Sequence, residues 1–279
     1  MPPPGEPAFN APRVVLVALA AFVAIHLLRS VVSEETDIGL LLRFAFIPAR
    51  YDAASQYASD MLGGEGAKLW TFVSYAFLHG DWMHLAVNSV WMLAFGSALA
   101  WRFGPGRFLL FSALTAAAGA ATHLLFHFGE PTPVIGASAA ISGHMAAATR
   151  FIFEVGGPLS AFRQAGHGAF MAPAEPFMQA LRRPQVIVFF VAWFGMNILF
   201  GLGAIAIGEG DASIAWEAHI GGFLAGLALF PLFDPVRGEP APHPFASHPD
   251  GAWDDGLRAD GDRPHDGGAG PAQRPGRDS

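Results

Sequence analysis

Apolar and polar residues segregate along this chain into long blocks, not into strand-like or surface-helix alternation. Six apolar runs stand out, at residues 14–32, 84–101, 108–126, 134–153, 186–207 and 212–233. Each is near the ~20 residues an α-helix needs to cross bilayer hydrocarbon. The pattern predicts an all-α, polytopic membrane protein with six transmembrane helices. The first run contains Ala18-Leu19-Ala20, the small-residue spacing of a cleavage site, but it continues beyond that point and further spans follow. It reads as an uncleaved helix. Residues 34–82 hold Phe46-Ile47-Pro48, Gly63-Gly64, Trp70 and Tyr75 and are too interrupted to span. They read as a long first loop whose short amphipathic helices dip into the interface. Residues 156–183 form a polar linker. Residues 1–12 and the Pro-, Gly-, Asp- and Arg-rich tail 234–279 are expected to be disordered, flanking one membrane domain at 13–233.

Composition supports this reading. Hydrophobic residues make up 52% and charged residues 14%, well below the ~25% charged share of soluble domains. Mean hydropathy is +0.37. The absence of cysteine excludes disulfides and thiolate metal sites. A net charge of −7 without a basic patch argues against nucleic acid as a partner. Arg102 and Arg107 lie between spans two and three, and Arg150, Arg163, Arg182 and Arg183 flank the linker between four and five. The loops at 129–133 and 208–211 carry no Lys or Arg. The positive-inside rule then puts both termini in the cytoplasm. Arg43, Arg50 and Lys68 fall on the outer side, in the long and also acidic first loop.

With that topology, spans two, four and six all begin on the outer side. His84 and Asn88 open span two, Ser138 lies about one turn into span four, and His219 lies ~10 Å below the start of span six. Polar side chains at membrane depth need partners or a function. Side by side, Ser138 and His219 make a nucleophile and its general base, a pairing suited to peptide-bond hydrolysis inside the membrane. No carboxylate at that depth faces His219, and Glu217 should point to another face, so the reading is a dyad. His84 and Asn88, at i and i+4, share a face. With the backbone N–H groups of Ala137 and Ser138 at a helix start, they can serve a developing oxyanion. Gly136 permits a tight approach before the serine. Gly222 and Gly226 continue the His219 face as a small-residue stripe for close helix packing, and Gly143 keeps the fourth helix slim.

Together these motifs resemble the rhomboid family of intramembrane serine proteases. The matching pieces are His79-Gly80-Asp81-Trp82-Met83-His84 with Asn88, then Gly136-Ala137-Ser138, then Ala218-His219 with Gly222 and Gly226. The likeness runs from about residue 14 to 233. It implies a six-helix rhomboid-like bundle in a plasma (inner) membrane. It also implies a serine endopeptidase with Ser138 as nucleophile and His219 as base, and an oxyanion served by His84 and Asn88. Substrates would be single-span transmembrane proteins entering from the lipid bilayer near span five. No cofactor is required. There are three departures. Ala139 stands where the family usually has glycine, Ser142 where many members have an aromatic packed on the imidazole, and Thr71 where an arginine follows Trp70. Ala139 and Ser142 favour an alternative, a weak or inactive rhomboid-like protein that binds client helices.

Other polar residues read more plainly. His79 buttresses the loop, and Asn197 makes an interhelical hydrogen bond. The stripe at 113–121 is helix packing. His123 and His127 have metal-ligand spacing, but no carboxylate or third histidine lies at a suitable spacing. They are assigned to packing, and no metal ligand is expected.

Overall fold

The computed structural model describes residues 11–55, 59–154, 156–159, 166–201 and 214–238. The disordered ends expected outside 13–233 (apart from 11, 12 and 234–238), the loop 208–211, residues 202–207 of the fifth run and part of the linker lie outside the described residues. Eight helices organise the rest: α1 Arg13–Val31, α2 Glu34–Phe44, α3 Ala67–Ser74, α4 Trp82–Phe103, α5 Pro105–Phe126, α6 Ser138–Ala148, α7 Pro184–Gly201 and α8 Trp216–Phe233. Among the described residues the only strand-like pairing is an isolated bridge between Phe46 and Val134.

Five helices, α1, α4, α5, α7 and α8, are long and apolar enough to cross a membrane. The fourth expected span is not among these five. Its helix, α6, has only 11 residues, about 16 Å at 1.5 Å per residue against a hydrocarbon core of ~30 Å. Two features shorten it. Val134 is extended and pairs with Phe46, and the Gly136 N–H bonds to the Tyr75 carbonyl at 3.0 Å. Beyond Ala148 the backbone closes into tight turns, with the Phe151 N–H reaching the Ala148 carbonyl. Every α6 residue after Ser138 is buried. A helix apolar all round belongs inside a bundle, so run length alone overstated its reach.

Small residues let the neighbours close on α6. A Cβ on Gly222 of α8 would collide with the Ala139 carbonyl, and one on Gly226 with the Gly143 backbone. A Cβ on Gly143 would sit 2.5 Å from Thr115 Cγ2 of α5. Backbones therefore touch, which maximises packing where lipid supplies no hydrophobic drive. α7 is the least buried of the five long helices: within it only Val186 and Asn197 are buried. It meets α8 through Trp193, Phe190 and Phe194 arranged around Phe223, with Trp193 stacked at 4.2 Å between centroids.

Buried arginines tie the connections. In the first loop Arg50 donates to the carbonyls of Leu62, Ala45 and Leu42 and to Thr71 Oγ1. The loop lacks an arginine at 71, and Arg50 does the organising from the other side. Leu69 and Trp70 of this loop, and Trp82 and Met83 at the start of α4, are left exposed. At the opposite end Arg102 holds Asp234 through two bonds of 2.8 and 2.9 Å and caps the carbonyls of Phe170 and Ala172.

Candidate active site

Three helix N-termini converge on one place. α4 is capped by Asp81, whose carboxylate accepts the His84 N–H at 2.7 Å. α6 begins at Ser138 itself, and α8 begins at Trp216, so His219 lies in its first turn. Both residues are thus shallower in their helices than the apolar runs suggested, because 134–137, Ile214 and Ala215 are not helical. Each N-terminus carries the positive end of a helix dipole.

Ser138 Oγ and His219 Nε2 are 2.8 Å apart, and both side chains are half-buried. On the far side of the ring, Nδ1 is 2.8 Å from Asn197 Oδ1 of α7. Asn197 Nδ2 donates to the Trp193 carbonyl at 2.8 Å. The expected interhelical bond of Asn197 exists, and its partner is the imidazole itself. Sequence reasoning missed that partnership. One signal was present, a single amide in an otherwise apolar membrane run, but nothing in the chain points from residue 197 to residue 219.

Gly136 shapes the opposite wall. Its φ of +119° suits glycine, and a Cβ there would lie 2.7 Å from His84 Nε2 and 3.7 Å from Ser138 Oγ. The His84 ring and the serine hydroxyl therefore flank the Gly136 backbone. The Gly80 N–H reaches His84 Nδ1 at 3.4 Å, which leaves Nε2, beside Gly136, as the protonated nitrogen. His79 is buried behind this ring, edge-on at 5.2 Å. Burial, then the neighbouring His84, lower its imidazole from the usual 6.5 to about 3. Asn88 is buried on the same helix face, and its Nδ2 donates to the His84 carbonyl at 2.9 Å, with a second amide proton left over.

The departures from the motif have local answers. The extra methyl of Ala139 meets Gly119 of α5, where any Cβ would come within 2.6 Å of it. Ser142 bonds back to the Ser138 carbonyl at 2.8 Å and does not cover the imidazole. Glu217 turns toward His123 and His127. The expectation that these histidines lack a carboxylate partner is corrected, because α8 brings one in from 90 residues away.

Fold and site together define a polytopic all-α integral membrane protein with a serine–histidine pair set among its helices. A family model described as Rhomboid domain matches residues 66–234. The match covers more than half of the chain, which belongs to the rhomboid family. No curated protein matches it.

Proposed function

We propose that this protein is an intramembrane serine endopeptidase that cleaves single-span transmembrane proteins. The carrying observation is the 2.8 Å contact between Ser138 Oγ and His219 Nε2, made by residues 81 apart on two helices. Ser138 Oγ attacks the scissile carbonyl while His219 Nε2 takes its proton. The same proton passes to the leaving amine as the C–N bond breaks. Water then attacks the acyl-serine ester, with His219 again as base. The oxyanion is received by the N–H groups of Ala137 and Ser138, His84 Nε2–H and the spare Asn88 proton. Asn197 is a positioning residue that holds the imidazole.

The substrate helix arrives from the bilayer alongside α7, the least buried span. It must unwind locally, because a regular helix hides its carbonyls in its own hydrogen bonds. Both termini are cytoplasmic and the site opens to the outer side of a plasma (inner) membrane. The membrane domain is 13–233, and Asp234, bonded to Arg102, continues its packed end.

The test is cleavage of a reporter transmembrane helix by the wild type and Ser138→Ala in proteoliposomes, with fluorophosphonate labelling of both. Cleavage and labelling lost together in the variant are the expected result. Equal cleavage by both proteins removes Ser138 from the mechanism. A folded wild type that neither cleaves nor labels favours the client-binding alternative.

A further inference from the structure

We propose that His123, His127 and Glu217 form a binding site for a divalent transition-metal ion of the zinc class, beside the Ser138–His219 pair. His123 lies in the last turn of α5 and His127 caps that helix; their rings stack at 4.2 Å between centroids. Glu217 enters from the first turn of α8. Its Oε1 is 3.0 Å from His127 Nε2 and its Oε2 is 3.7 Å from His123 Nδ1. The donor atoms of all three residues lie within 4.8 Å of one another.

The 3.7 Å separation is too long for a hydrogen bond. Among the described residues His123 Nδ1 is buried without a partner, in a side chain only 7% exposed. Such an orphan is costly in a dry site. Two ligands held about 2.0–2.2 Å from a tetrahedral zinc ion stand about 3.3–3.6 Å apart. One ion between these atoms therefore satisfies His123 with small adjustments. A metal-free explanation, an imidazolium of His127 clamped by Glu217 and Glu130, accounts for both His127 nitrogens but leaves His123 Nδ1 unpaired.

The surroundings also fit. Glu130 Oε2 lies 2.9 Å from His127 Nδ1, the outer carboxylate that commonly orients a metal-bound histidine through its other nitrogen. Two imidazoles and a carboxylate suit zinc rather than calcium or magnesium, which prefer all-oxygen shells. His127 is half-buried and Glu130 exposed, giving the ion a route in. Once bound, it ties the end of α5 to the first turn of α8, two residues before His219.

The test uses the full-length protein in detergent micelles, stripped with a chelator and titrated with cobalt(II). The expected result is one equivalent bound, with the intense visible band of a four-coordinate site. Zinc should bleach the band and raise the unfolding temperature. Glu130→Gln should weaken binding about 10–100-fold, and His127→Ala and Glu217→Gln should abolish the band while circular dichroism stays unchanged. His127 is partly exposed, so its variant tests the site even if Glu217→Gln folds poorly. A folded wild type without the band overturns the proposal, as does a band that either folded variant retains.

Discussion

Asn197 Oδ1 sits 2.8 Å from His219 Nδ1, and the amide has one orientation open to it. Its Nδ2 is committed to the Trp193 carbonyl, so oxygen faces the ring, and an amide oxygen only accepts. His219 Nδ1 must therefore carry the proton, which leaves the Nε2 lone pair for the Ser138 hydroxyl. A backbone carbonyl on α7 thereby sets the tautomer of the proposed base. Asn197→Ala should lower kcat about 10–100-fold, the scale of a misplaced reacting group, with KM little changed. Asn197→Asp should recover much of the loss, because a carboxylate accepts the same Nδ1 proton. A purely structural role for Asn197 predicts instead that both variants lose thermal stability and that neither shows a selective drop in kcat.

Gly222 of α8 leaves no room for a side chain, since its Cβ would strike the Ala139 carbonyl one residue after Ser138. Gly222→Ala should cost about 1–3 kcal/mol in stability, the usual range for overpacking. It should also cut activity more than the lost folded fraction explains, by prising Ser138 from His219. Unfolding in detergent and single-turnover cleavage, measured on one preparation, separate the two effects. An unchanged single-turnover rate would mean that the two helices pivot without disturbing the pair.

Much of this arrangement was legible in the chain because membrane helices announce themselves by composition. Ser138, His219, His84 and Gly136 do meet, and the order of apolar runs was enough to bring three N-termini together. Length was misleading for α6, since burial inside protein and burial in lipid select the same residues. The polar partnerships were illegible for another reason. Glu217 reaches His123 and His127, and Asn197 reaches His219, only after separate helices have packed, and Arg50 reaches Thr71 only once the first loop has closed on itself. Arg102 counted toward orientation as a loop charge, yet its side chain is 1% exposed and bonded to Asp234.

That Arg102–Asp234 pair supplies a stability prediction. Removing one member of a buried pair strands the other charge, at a typical cost of 3–5 kcal/mol. Asp234→Ala should cost about that much, because the guanidinium is sealed under Phe151 at 4.4 Å from the ring centroid. Arg102→Met with Asp234→Leu should recover part of the loss. Thermal unfolding of the single and double variants checks this, and a single variant within about 1 kcal/mol of wild type would class the pair with exposed ones.

His79 should make the protein acid-labile. Its imidazole is held at about 3 in the folded state, chiefly by burial and then by His84, with His26 and Arg29 adding to the effect. Its ordinary value of 6.5 applies once the chain unfolds. The unfolded state therefore takes up the proton first. The contribution of a neutral His79 is complete above pH 6.5 and falls as pH drops from 6.5 toward 3, by about 1.4 kcal/mol per unit. Between pH 6.5 and 5 the wild type should lose about 2 kcal/mol more than His79→Phe, which keeps an aromatic ring against Phe22 and has nothing to protonate. Parallel stability curves for the two proteins over that range would assign the acid sensitivity to another group.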